Sequence, residues 1–362
     1  MRAIRFAAVA ATAVVLVSAC GGTSDDADSA AGAKKEAPTI ALFLPESKTT
    51  RYEAFDRPLF EAKVKALCAD CKLLYSNADQ DAAKQQQQVE AALTQGADAL
   101  VLDAVDAGAV APLVNQAKKS KVPVIAYDRL ISGIAYEYYV SFNNVRVGEM
   151  QGQALLDALT KAGATAQSQI VMINGSPTDP SSGDYKKGAH SVLDGKVKIG
   201  REFDTPDWSP DKAQQQMEQS ITALGRDKIV GVLSANDGMA GGAIAAMKRA
   251  GYAKLPPITG QDAELAAVQR ILTGEQYMTI YLDIRTEAEK AAELAVAVVR
   301  GEKPAAPGTV DNGTAPIPAF LLDPIPVTAD KVKDTIVKDG FYKADEICTA
   351  AVKAACTRAG IQ

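Results

Sequence analysis

The chain has 362 residues, of which 47% are hydrophobic and 23% charged, and a net charge of −5. This is globular composition with material for about two domains at roughly 150 residues each. No Lys/Arg block offers a phosphate footprint, so no nucleic-acid partner is expected; the single histidine, His190, leaves little room for imidazole catalysis or a multi-histidine metal site, and no cofactor is expected.

The N-terminus reads as a targeting segment. Arg2 and Arg5 precede an apolar run over residues 6–17, of signal-peptide length and short for a membrane span. The run closes in Val17-Ser18-Ala19-Cys20, which looks like a bacterial lipobox. Cleavage before Cys20 and diacylglyceryl attachment to its sulfur are expected, anchoring the chain to the outer face of the cytoplasmic membrane. Residues 21–37 are rich in Gly, Ala, Ser and Asp without apolar periodicity, as a disordered tether would be. Beyond Cys20 four cysteines remain, Cys68, Cys71, Cys348 and Cys356. In an oxidising compartment they imply two disulfides. Three pairings are formally possible; the local pairs Cys68–Cys71 and Cys348–Cys356 are preferred, the first as a structural bridge capping the first helix rather than a redox motif.

From Pro38 onward, short β-branched runs alternate with Ala/Gln/Lys-rich helical stretches. Strands are predicted at 40–44, 72–76, 99–103, 124–127, 138–142, 170–174, 197–203, 229–234, 258–260 and 278–281. Short strands buried on both faces and separated by helices predict parallel α/β sheets. Gln86-Gln87-Gln88-Val89-Glu90 and Gln214-Gln215-Gln216-Met217-Glu218 open similar amphipathic helices after the second strand of each half. The expected architecture is two Rossmann-like lobes. A first lobe of 38–142 and 282–308 is joined by a three-strand hinge to a second lobe of 143–281 and 309–347, with residues 1–19 as signal, 20–37 as tether and 348–362 as a disulfide-bonded tail. The Pro/Gly-rich stretch 301–318 is the expected third crossing, with the helix at 286–300 in the first lobe.

In open parallel sheets, ligands bind beyond the carboxyl ends of the strands. Arg51 and Tyr52 follow the first strand, Asp128 and Arg129 end the fourth, Asn174 ends the first of the second lobe, and Asn236 with Asp237 and Gln261 with Asp262 follow later ones. Trp208, the sole tryptophan, lies in the polar loop 205–210. Carboxylates, amides and guanidinium groups can bond vicinal hydroxyls bidentately, and an aromatic face covers the C–H side of a sugar ring. The pattern suits a neutral polyol. It holds no Ser/His/Asp or Cys/His arrangement and no GxxxxGK[ST] phosphate loop, so an enzyme is not expected.

Several strings together resemble the type I periplasmic sugar-binding proteins, most of all the D-xylose-binding proteins of ABC importers. They are Tyr127-Asp128-Arg129, Tyr139-Val140-Ser141-Phe142, Val147-Gly148-Glu149, Gly175-Ser176-Pro177, Ser234-Ala235-Asn236-Asp237, Gly260-Gln261-Asp262-Ala263-Glu264 and Val337-Lys338-Asp339-Gly340-Phe341. The likeness runs from about Ile40 to Ile347; the cysteine-bearing tail and the lipobox fit actinobacterial-type members. The resemblance implies a monomer that captures a monosaccharide, xylose or a related sugar, and delivers it to an ABC permease and its ATPase. It implies sugar contacts from Arg51, Tyr52, Asp128, Arg129, Asn143, Trp208, Asn236 and Asp262. Two positions depart from the family pattern. Asn143 stands where an aspartate is usual, and Leu282-Asp283 stands where lysine-proline is usual, which would remove one acid and one base from the pocket.

Other readings compete. A repressor of the lactose-repressor type shares this fold but needs an N-terminal helix-turn-helix, where this chain has a lipobox. A sugar sensor presenting its closed form to a membrane kinase or chemoreceptor would use the same residues. A glycosidase would need Asp128 and Asp262 to act as a carboxyl pair of divided acidity, yet their neighbours look like binding partners.

Overall fold

The computed structural model describes residues 37–361; the signal segment, Cys20 and nearly all of the tether lie outside the described residues. The first half runs β1 (Thr39–Leu44), α1 (Arg57–Leu67), β2 (Lys72–Asn77), α2 (Ala82–Thr94), β3 (Ala99–Leu102), α3 (Ala111–Lys119), β4 (Val124–Tyr127) and β5 (Tyr138–Phe142). Then follow α4 (Asn144–Lys161), β6 (Gln169–Asn174), α5 (Pro180–Leu193), β7 (Lys198–Asp204), α6 (Pro210–Leu224), β8 (Ile229–Ser234), α7 (Asp237–Arg249), α8 (Leu265–Thr273) and β9 (Met278–Tyr281). The chain closes with α9 (Ile284–Val299), β10 (Gly308–Asp311), β11 (Pro316–Leu322), β12 (Ile325–Thr328), α10 (Ala344–Ile347) and α11 (Lys353–Arg358).

The first lobe is a seven-stranded sheet in the order β10-β11-β5-β4-β3-β1-β2. It is parallel except where β10 meets β11. Its central strands are apolar on both faces because helices cover both. Ile40, Leu42 and Leu44 alternate into a core with Phe60, Val64, Ala291 and Leu294 of α1 and α9. Ala41 and Phe43 alternate into the opposite core with Val89, Leu113 and Val114 of α2 and α3.

The second lobe is less continuous. β7-β6-β8 form a parallel ladder, and β9 pairs antiparallel with β12. Between them the predicted strand at 258–260 reduces to two single bridges, Val232 to Ile258 and Gln261 to Ile280. Val171, Ile173 and Val232 face α6 and α7, while Ile170, Met172 and Leu233 face α4 and α5. α4 and α5 approach so closely that a Cβ on Gly148 would stand 1.9 Å from the Tyr185 carbonyl oxygen, and one on Gly188 2.1 Å from that of Val145. Only hydrogen fits at either place, and this contact fixes where Tyr185 enters the site.

One boundary is corrected. Residues 309–347 were expected to fall wholly in the second lobe, with the third crossing within 301–318. β11 instead pairs parallel with β5 and β10 with β11, which places 308–322 in the first sheet and the third crossing at Asp323–Pro324. Burial of Ile317 and Ala319 in the first-lobe core drives this placement, despite the flanking prolines. The other crossings lie at Asn143 and at Leu282–Asp283. Both disulfides form the local pairs Cys68–Cys71 and Cys348–Cys356. Around the second, Val352, Ala355, Cys356 and Ile361 pack into the core of the second lobe.

Candidate functional site

The carboxyl ends of the strands from both lobes converge on one narrow polar cleft. The first lobe contributes Thr49, Arg51, Tyr52, Asp128 and Arg129, and the second Asp179, Tyr185, Trp208, Asn236, Gln261 and Asp262. Arg51, Arg129, Asp128, Asp179, Asn236 and Asp262 are all buried, so the lobes are closed on one another.

Asp128 follows β4 with φ 58°, a left-handed backbone that Asp tolerates better than most residues. The conformation is pinned from β5: the Asp128 N–H donates to Val140 O at 2.9 Å, and its carbonyl accepts from Tyr139 Oη at 3.0 Å and Ser141 Oγ at 2.7 Å. With the backbone held, its carboxylate meets Arg51 Nη1 at 3.3 Å and Tyr52 Oη at 3.2 Å.

Arg51 is locked from behind. Its Nε and Nη2 donate bidentately to Asp56 at 3.0 and 2.7 Å, and Nη2 also reaches Glu287 of α9 at 2.6 Å. Charge-assisted bidentate geometry of this kind holds a guanidinium in a single orientation. Three carboxylates around it raise the Arg51 pKa further against the cost of burial, so it stays cationic. Burial pushes Glu287 well above the usual carboxylate range, although the Arg51 charge pulls the other way.

Arg129 donates from Nη1 to Ala104 O at 3.0 Å and from Nη2 to Tyr52 Oη at 3.4 Å. Its Nε lies 3.3 Å from Asp103 Oδ1 and 3.1 Å from Asp179 Oδ2. Asp103 is fully buried and neither of its oxygens accepts a hydrogen bond among the described residues; burial drives its pKa well upward.

In the second lobe, Asn236 caps α7, its Oδ1 accepting from Met239 N at 2.9 Å. Capping and ligand contact are compatible, since the cap uses only the oxygen and leaves the NH₂ as a donor. Gln261 donates to Tyr185 Oη at 3.4 Å and to Asp262 Oδ1 at 3.3 Å, while its own Oε1 has no partner among the described residues. Asp262 (φ 90°) is held by its N–H bonding Ile280 O at 3.0 Å. Burial pushes its carboxyl up to about 7, partly offset by Arg51. Trp208 is buried, edge-on to Tyr185 with ring centroids 6.3 Å apart. Its Nε1–H donates to Asp179 Oδ2 at 3.2 Å.

Of the residues expected to contact ligand, Arg51, Tyr52, Asp128, Arg129, Trp208, Asn236 and Asp262 are brought together. Asn143 is not. It caps α4 by accepting from Arg146 N at 3.2 Å, is exposed, and lies beside Leu130 and Leu321 on the hinge side. Leu282 is fully buried in the second-lobe apolar core, away from the cavity lining. The two departures from the family pattern are therefore a helix cap and a core residue rather than an altered acid and base of the pocket. Asn174 also turns away, donating to Glu202 and Asp204 at 3.0 and 3.2 Å. Thr49, Asp179 and Tyr185 were missed. Thr178-Asp179-Pro180 after a strand carries an N-cap signal that could have located Asp179; Tyr185 lies inside α5, where strand-end reasoning does not reach.

A polar cavity enclosed between two α/β lobes joined by three crossings defines a hinged solute-binding protein. The chain belongs to the periplasmic binding proteins, whose family model, described as periplasmic binding protein domain, matches residues 40–303. It is 35% identical over 313 residues to the D-xylose-binding periplasmic protein of Escherichia coli K12, covering 85% of this chain and 92% of that one. It is 34% identical over 288 residues to the multiple sugar-binding periplasmic receptor ChvE of Rhizobium radiobacter, covering 74% and 81%. An ABC transporter solute-binding protein of Clostridium phytofermentans, solved with β-D-glucose bound, superposes with a TM-score of 0.80 at 29% identity, covering 85% of this chain and 99% of the other. The family places the chain outside the cytoplasm as a solute binder and not an enzyme.

Proposed function

We propose that this protein captures a neutral monosaccharide, a pentose or hexose, between its lobes and delivers it to an ABC permease, tethered to the membrane through a lipidated Cys20. One observation carries the reading: carboxylates from both lobes, two guanidinium groups of the first and two amides of the second line one cleft with a single indole, Trp208. Charged groups that bond paired hydroxyls, together with an aromatic surface for the C–H face, are what a sugar ring requires. Relatives named for D-xylose and for multiple sugars, and a neighbour holding glucose, support the ligand class. A ligand touching both lobes binds the closed form better and shifts the population toward it. Isothermal calorimetry against a panel of pentoses and hexoses tests the reading. At least one sugar of the panel is expected to bind, with a smaller radius of gyration by small-angle scattering at saturation. No binding across the panel would overturn it.

A further inference from the structure

One of the carboxylates lining the cavity also bridges the two lobes. Asp179 stands at the N-terminus of α5 and has three partners. Oδ1 caps the helix by accepting from Ser181 N at 2.9 Å. Oδ2 accepts from the Trp208 indole at 3.2 Å and lies 3.1 Å from Arg129 Nε across the cleft. Beside it, Ala107 N of the first lobe donates to Thr178 O of the second at 3.3 Å. The contact between lobes is thus made by backbone and side chain at adjacent residues.

We propose that Asp179 is the latch of the closed form: a positioning residue that ties Arg129 of the first lobe to Trp208 of the second and slows release of the captured sugar. The proposal rests on the two-lobed capture reading above. Arg129 Nε sits between two carboxylates, Asp103 of its own lobe and Asp179 of the other. Opening withdraws Asp179 with its lobe and leaves Asp103 as the guanidinium's near neighbour. Closing brings in Asp179, already aligned by its cap and its indole bond. The same oxygen then holds the ring-covering tryptophan and the opposing arginine, so the aromatic face is set as the lobes meet. A charge pair buried across an interface acts chiefly on dissociation.

The test uses Trp208, the sole tryptophan, as its reporter. Calorimetry on wild type selects the sugar; stopped-flow fluorescence then gives association and dissociation rates. Asp179→Asn keeps one acceptor oxygen, enough for the helix cap at Ser181, and replaces the charged oxygen that serves Trp208 and faces Arg129 with an NH₂ that can bond neither. Its dissociation rate is expected to rise on the order of tenfold with little change in association. At saturating sugar, acrylamide quenching of Trp208 should also increase, because the lobes part more often. Loss of a direct sugar contact alone would not move quenching at saturation. Arg129→Gln approaches from the other side of the cleft and should raise quenching in the same way, with the double variant no worse than the single ones. Unchanged dissociation, or faster dissociation with unchanged quenching, overturns the latch and leaves sugar capture standing. If no sugar binds wild type, the capture reading fails and the latch fails with it.

Discussion

Gly175 and Trp208 fill one another's space. A Cβ built on Gly175 would stand 2.0 Å from the indole Cη2 and 2.3 Å from Cζ2. The indole therefore lies flat against bare backbone at the end of β6, and Gly175-Ser176-Pro177 is the floor under the ring rather than a generic turn.

Gly175→Ala should displace the indole. Contacts of that length cannot be absorbed by small shifts, and Trp208 already has a φ of 52° with little freedom to move. Sugar affinity is expected to fall at least about tenfold, equivalent to roughly 1.4 kcal/mol. Calorimetry with the best wild-type ligand measures this, and affinity within twofold of wild type would mean that the ring position does not govern binding.

Asp262 should give the site a pH response. Its carboxyl is pushed up to about 7, above the ordinary value of 3.8. Between those limits the folded protein holds a proton that the unfolded chain has released, so this group's contribution falls as pH rises from about 4 to about 7 and is fully lost above. Wild type held closed by saturating sugar should therefore lose thermal stability from pH 5 to pH 8, and Asp262→Asn should flatten part of that slope. Other buried acids, Asp103, Asp179, Asp237, Glu264 and Glu287, are shifted the same way by burial and contribute to the rest. Identical slopes for wild type and variant would sink the assignment.

Breaking the Arg51 framework should be costly. Glu287→Ala removes the partner at 2.6 Å and opens space in a fully buried region. Loss of a buried hydrogen bond to a charged group, with the cavity left behind, typically costs ~2–5 kcal/mol. Urea denaturation should show a clear drop in midpoint, and Glu287→Gln, which preserves volume, should lose less. Equal losses for the two variants would point to charge alone.

Asn143 and Leu282 should not set sugar preference. Asn143→Asp exchanges one good helix cap for another on an exposed residue and is expected to leave the ligand order unchanged in the calorimetric panel. Leu282→Lys places an ammonium in an apolar core and should destabilise by several kcal/mol instead of improving xylose binding. A folded double variant that gained xylose affinity would contradict the placement of both residues.

Cys20→Ala should release the protein from the membrane fraction of a native-like host. The expectation rests on Val17-Ser18-Ala19-Cys20 and the apolar run before it. A variant as membrane-bound as wild type would remove the anchor.

Periodicity revealed most of the architecture because each central strand is buried on both faces and reads as a continuous apolar run, as Ile40 to Leu44 does. β10 and β11 were hidden because Pro316 and Pro318 mask a strand whose pairing to β5 is a long-range event. The strand-end rule located Asp128, Arg129, Asn236 and Asp262, since it follows from chain direction alone. It overreached at Asn174, which bonds to its neighbour strand, and it could not locate Tyr185, whose reach depends on how closely α5 packs on α4. Asn143 was placed by alignment to a motif, and motif position does not specify which way a capping residue turns.

The ligand-bearing arm of the second lobe is not a regular strand, yet hydrogen bonds hold it along its length. Gln261 O accepts from Asp237 N at 3.0 Å, Asp262 N donates to Ile280 O at 3.0 Å, and Glu264 N donates to Asp237 Oδ2 at 3.0 Å. Asp128 is gripped likewise through three residues of β5. Both jaws therefore offer their acids on backbone that is already fixed, which leaves little ordering entropy for capture to lose.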